Sequence, residues 1–191
     1  MTAAILYGAG SGALHAVTGP DHVLSLGPVA LQHPRASFRI GLGWGVGHAI
    51  GTLLLALPLL VLSGFVHLSA FAAWGERAAG FALLAAAGFS FWSARNAAAG
   101  SADVRRPLVV GIVHGATGAG SLLLLLPVLV AGSLLHTVLF LAAFSIGSTL
   151  AMAALTTAIA KLGARCERST IQRAQRGMLI AACLLGVYWL V

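Results

Sequence analysis

The sequence predicts an all-α polytopic membrane protein. It expects six transmembrane helices, arranged as two inverted three-helix repeats, with the first span, and as a candidate the fourth, broken at Gly/Pro. Three observations carry this. Of 191 residues, 59% are hydrophobic and only 8% are charged, against about 25% charged in a soluble domain. The mean hydropathy is +0.98, and a soluble globule of this size buries only about 70% of its surface, too little to hide so much apolar area. Finally, the motifs of the first half recur in the second. Disordered, collagen-like and disulfide-scaffold classes are excluded by the same composition. A β-barrel is excluded because the apolar stretches are continuous and not alternating.

Six apolar segments can be drawn: Ala3–Leu31, Ile40–Leu62, Phe71–Ala94, Leu108–Ala131, Leu134–Ala160 and Gln172–Val191. Each reaches the ~20 residues that a bilayer span needs. The third opens on Glu76 and Arg77, so its dry part is Ala78–Ala94. The last has a dry core of Met178–Val191 and starts in an Arg-rich approach. No cleavable signal peptide is evident, since the opening apolar run lacks a basic flank.

The formal charge of +7 comes from 11 basic and four acidic residues. It does not indicate a nucleic-acid partner, because the basic residues sit between apolar segments. Arg35 and Arg39 lie in the first loop, Arg95, Arg105 and Arg106 in the third, and Lys161, Arg165, Arg168, Arg173 and Arg176 in the fifth. The second and fourth loops are nearly free of them. The positive-inside rule then places odd loops in the cytoplasm and both termini outside, in a multi-pass protein of the cell inner (plasma) membrane. Cys166 and Cys183 are too far apart for a CxxC motif, and no disulfide framework is expected.

The internal repeat is legible as residue matches. His15, Thr18 and Gly19 match His114, Thr117 and Gly118 at an offset of 99, as Pro28-Val29 match Pro127-Val128. Trp44 and Gly47 match Phe144 and Gly147 at an offset of 100. Gly80, Phe91 and Trp92 match Gly177, Tyr188 and Trp189 at an offset of 97. Three spans per half is an odd number, so residues 1–100 and 101–191 of this single membrane domain must insert with opposite orientation. That is the plan of many secondary transporters, whose site lies near the midplane between the halves.

Ionisable residues inside spans are costly and read first as functional. Here they cluster: His15, Asp21 and His22 in HAVTGPDH, His48 in GWGVGHAIGT, and His114 in GIVHGATGAGS. In a straight helix His15 and His22 would sit about 10 Å apart along the axis. Proline lacks an amide proton and disfavours helical geometry in the residue before it, so Gly19-Pro20 should break the helix and let His22 face His15. Imidazoles with one carboxylate and no thiolate suit a borderline divalent transition metal such as Ni, Co, Zn, Cu or Fe. Calcium and magnesium would want more oxygens. Only neutral imidazole ligates, so acid should weaken binding and binding should release protons. His15, Asp21, His22, His48 and His114 are therefore the candidate metal residues, with His114 equally suited to positioning a ligand. His33, His67 and His136 read as interfacial. Thr18 and Thr117 are expected to bond freed backbone carbonyls, and Trp44 reads as a packing or interface aromatic.

At HAVTGPDH the chain resembles the nickel/cobalt transporter (NiCoT/NicO) superfamily, and within it the short UreH-type, urease-accessory-like membrane proteins. The larger permeases carry four residues between His and Asp-His, and this chain carries five between His15 and Asp21. GLGWGVGHAIGT resembles the second His-bearing motif and GIVHGATGAGSLLLLLP the segment that opens the second half. The resemblance implies a Ni²⁺ or Co²⁺ permease, with His15, Asp21, His22 and His48 as metal residues.

The function read from these observations is a secondary transporter for a divalent transition metal, Ni²⁺ or Co²⁺, carried as substrate with no tightly bound cofactor. The alternatives are a proton-coupled exporter of a small organic or anionic substrate, and a non-transporting metal-binding chaperone for metalloenzyme maturation. An enzyme is not expected, because the chain has no HExxH, no paired His boxes, no Cys pair and no mid-span lysine. The expected partners are the ion and the lipid bilayer, and a homodimer is compatible with so small a bundle.

Overall fold

A computed structural model describes residues 1–62, 77–88, 105–117 and 133–191. Among them every regular element is a helix: α1 (Thr2–Thr18), α2 (Pro20–Gln32), a 3-10 turn at Pro34–Ala36 and α3 (Ser37–Leu62). Then come α4 (Arg77–Gly88), α5 (Arg105–Thr117), α6 (Leu134–Gly163) and α7 (Arg168–Tyr188).

Two stretches, Pro34–Pro58 and Leu134–Gly163, are long and apolar enough to cross a membrane. The described residues therefore hold two continuous spans, not the six expected. The first expected span is divided into helices of 17 and 13 residues, each short of a bilayer on its own. The last expected span begins at Arg168 and carries Arg173 and Arg176 through its opening turns, which shortens its dry part. The third and fourth expected spans lie partly outside the described residues, as does the candidate break in the fourth.

The division of the first span follows from its residues. Pro20 cannot donate to the carbonyl four residues back and occupies the first turn of α2, where its missing N–H costs nothing. Gly19 takes extended backbone between the helices (φ −69°, ψ 109°), and its amide closes α1 by donating to the His15 carbonyl at 3.0 Å.

The helices meet through glycines that bring backbones into contact. A Cβ on Gly8 would meet the Phe140 carbonyl, and one on Gly12 the Phe144 carbonyl. These contacts advance together, so α1 and α6 run in the same direction. Likewise Gly111 lies on the Trp44 carbonyl and Gly115 on the His48 carbonyl, so α3 and α5 run in the same direction. Gly41 packs on Ala153 and Gly45 on Thr149. That order is reversed, so α3 runs against α6.

The two parallel pairs use corresponding positions. Gly12 on Phe144 matches Gly111 on Trp44, and Gly147 on Ala9 matches Gly47 on Leu108, all at the offsets of 99 and 100 seen in the sequence. The side-chain bonds correspond too: Thr18 donates to the Leu14 carbonyl at 2.9 Å, and Thr117 to the Val113 carbonyl at 3.0 Å. It follows that α1 and α5, which carry the matching motifs, run in opposite directions, as do α3 and α6.

α6 buries polar residues beside apolar ones such as Phe144 and Met152, and carries large apolar side chains on its outer face. Ser148, Thr149 and Thr156 are buried, whereas Ile146, Leu150 and Leu162 are exposed. A water-soluble helix turns charged and polar residues to its outer face. The central core is Ala16, Leu26, Ile40, Trp44 and Met152, from four helices. A satellite cluster of Leu83, Ala87 and Ala182 joins α4 to α7, with Leu24 of α2 against it.

Backbone contact at Gly111 leaves no room for a methyl group, whereas nothing lies within 4 Å of a Cβ on Gly10. Gly111→Ala is therefore expected to destabilise the fold by about 1–3 kcal/mol, and Gly10→Ala to be neutral or to stabilise by up to about 1 kcal/mol. Thermal unfolding of both variants in detergent checks the pair.

Candidate metal centre

Four helices bring His15 (α1), Asp21 and His22 (α2), His48 (α3) and His114 (α5) to one place. All five candidate residues from the sequence are in this cluster. His22, His48 and His114 are 0%, 1% and 3% exposed, so these imidazoles meet protein and not solvent.

The position of His22 follows from the helix break. In an unbroken helix the Ala16 carbonyl would accept from the amide of residue 20, and that residue is proline. The His22 imidazole takes its place, with Nδ1 3.1 Å from the Ala16 oxygen. A carbonyl only accepts, so Nδ1 carries the proton, and the neutral ring has its lone pair on Nε2. This Nε2 is buried and, among the described residues, has no hydrogen-bond partner. Gly19 makes room for the ring, because a Cβ there would lie 2.6 Å from His22 Nδ1.

The other donors gather around the His22 ring. His15 Nε2 and His48 Nε2 are 3.4 Å apart. His114 Nε2 lies 2.7 Å from Asp21 Oδ2, a short charge-assisted pair. The same Asp21 oxygen is 3.8 Å from His22 Nε2. Ring centroids of His15, His48 and His114 lie 4.7, 5.3 and 5.5 Å from that of His22. Two groups of three each keep one donor atom per residue within 4.8 Å of the others: His15, His22 and His48, and Asp21, His22 and His114. This is the donor chemistry of a borderline divalent ion.

Aromatic walls surround the cluster. Trp44 stacks on His48 at 5.3 Å and 7°, and its ring lies 5.0 Å from that of His114. Phe144 is 5.6 Å from His15. Sequence reasoning took Trp44 for a packing residue, and it does pack, but it packs against two candidate ligands. The signal was its match with Phe144 across the repeat. His136 is exposed at the start of α6 and His33 caps α2, so both stand apart from the cluster. His67 lies outside the described residues.

The Ala16 contact makes a specific spectroscopic prediction. In ¹⁵N-histidine spectra, His22 is expected as the Nδ1–H tautomer, assigned by loss of its signals in His22→Asn. An Nε2–H tautomer would contradict the hydrogen bond.

The chain is similar to two proteins of Arabidopsis thaliana. It is 29% identical over 167 residues to Chloroplast protein FOR GROWTH AND FERTILITY 2, covering 78% of this chain and 45% of that protein. It is 28% identical over 173 residues to Chloroplast protein FOR GROWTH AND FERTILITY 1, covering 78% of this chain and 47% of that one. The chain thus spans just under half the length of the curated relatives it matches. No family model matches, and no solved structure matches. These findings overturn the resemblance to the nickel/cobalt transporter superfamily: the matched relatives are chloroplast growth and fertility proteins. The physical reason lies in the motif. A His, a Gly-Pro break and an Asp-His pair are what a membrane helix needs to bring imidazoles and a carboxylate to one depth. Such a motif marks a local geometry and not a family.

Proposed function

We propose that this chain is a membrane carrier for a divalent transition-metal ion, held by His15, Asp21, His22, His48 and His114. One observation carries the reading: the buried Nε2 of His22 has no hydrogen-bond partner among the described residues, and His22 belongs to both groups of candidate ligands. A buried polar atom without a partner costs about 1–3 kcal/mol, and an ion on that lone pair would remove the cost. The preference for nickel or cobalt rested on the family resemblance and goes with it. What remains is the class of metal that imidazole and carboxylate select.

In this reading residues 1–100 and 101–191 are two inverted halves. Support comes from the corresponding contacts of α1 with α6 and of α3 with α5, and from the opposed directions of the matching helices. The ion is substrate, so the chain needs no resident cofactor and is not an enzyme. The two long apolar helices and the outward apolar face of α6 support a bilayer setting. A multi-pass inner-membrane location with both termini outside belongs to the same proposal.

One observation favours a second reading. The Asp21–His114 pair at 2.7 Å is built to share a proton, as a relay coupled to export of an organic or anionic substrate would require.

The test is metal accumulation in cells lacking their own metal carriers, with this chain and its His22→Ala variant expressed at matched levels. Nickel, cobalt, zinc and manganese are measured together by mass spectrometry. Cell content of at least one metal should change, and the variant should cut that flux about 100-fold, since even outer partners of a metal ligand are worth 10–100-fold. No change in any metal would contradict the carrier reading. Proton-coupled flux indifferent to chelators would favour the relay.

A further inference from the structure

We propose that the cluster is two alternative ion positions sharing His22, and not one five-ligand site; this rests on the metal-carrier reading above. The donors fall into two groups of three, and His22 is the residue common to both. The first position is His15, His22 and His48, from α1, α2 and α3. The second is Asp21, His22 and His114, from α2 and α5.

The chemistry of His22 makes the positions exclusive. Its Nδ1 is committed to the Ala16 carbonyl at 3.1 Å. Only Nε2 is free, with a single lone pair, and one lone pair holds one ion. An imidazolate bridge between two ions would need the Nδ1 proton removed and that hydrogen bond broken.

The spacings give each position its character. His15 Nε2 and His48 Nε2 stand 3.4 Å apart, close to the ~3.3 Å that separates two nitrogens on one tetrahedral ion with bonds of ~2.0 Å. These two nitrogens are also within hydrogen-bond distance, so an ion there displaces the proton between them and meets neutral donors only. Asp21 Oδ2 and His114 Nε2 are 2.7 Å apart and joined by a hydrogen bond. An ion there must displace the shared proton and gains a carboxylate charge in return. The ion can therefore step from the α1–α3 side to the α5 side without leaving His22, and each step exchanges two donors for two others.

The experiment is a cobalt titration of the purified full chain in detergent micelles. Bound cobalt per chain is measured by mass spectrometry, and ligand fields are read from visible absorption. Four variants are compared: Asp21→Asn, His15→Ala, His48→Ala and His22→Ala, each checked for helicity by circular dichroism. One ion per chain is expected in the wild type, with absorption reproduced by a weighted sum of two variant spectra. Asp21→Asn supplies the first component. His15→Ala and His48→Ala supply the second and agree with each other. His22→Ala should weaken binding about 100-fold. Two ions per chain would overturn the proposal, as would the same band position in the wild type, Asp21→Asn and His48→Ala. Either outcome leaves the metal-binding reading standing. No cobalt bound by the wild type would overturn both.

Discussion

The Ala16 carbonyl is the point on which the site depends. Proline at position 20 removes the amide that would have satisfied it, and the His22 ring satisfies it instead at 3.1 Å. A backbone defect, a tautomer and a ring orientation are thus one interaction. Without the break, His22 would lie about 10 Å along the axis from His15. Without the imidazole, a buried carbonyl would be left short of a partner at a cost of about 1–3 kcal/mol. With both present, the His22 ring lies among His15, His48, Asp21 and His114. The same residue change that ends a helix therefore builds the centre of the cluster.

The surrounding helices make the arrangement rigid. Small residues let the helix backbones come into contact. Gly12 and Gly147 join α1 to α6, and Gly47 and Gly111 join α3 to α5. His15 rides on the first pair, and His48 and His114 on the second. The cluster sits where the two pairs face each other, so any relative motion of the pairs would change the spacing of its donors. Corresponding contacts on helices that run in opposite directions are what an inverted repeat would produce.

Much of this was legible in the sequence. HAVTGPDH announced the break because proline acts on its neighbours through local sterics, and the structure divides the helices at Gly19. The five candidate residues were found because an ionisable group in an apolar segment stands out from its surroundings. Other features were hidden because they depend on contacts distant in sequence. The Asp21–His114 bond spans 93 positions, and nothing near His114 announces it. The repeat match of Trp44 with Phe144 marked the position, but that Trp44 stacks on His48 shows only in the packing. The expectation of six spans exceeds the two long apolar helices among the described residues: the break and the Arg-rich start were both read, but what they do to the length of a helix was not. The family resemblance failed because a motif that encodes a local geometry says little about ancestry.

The central claim is that the histidines hold a metal ion. X-ray absorption at the metal edge of the cobalt-loaded wild-type protein tests it most directly. The account predicts two or three imidazoles bound at ~2.0–2.1 Å, with the outer-shell scattering that intact rings produce. A shell of oxygen alone, with no imidazole scattering, would place the ion elsewhere and contradict the account.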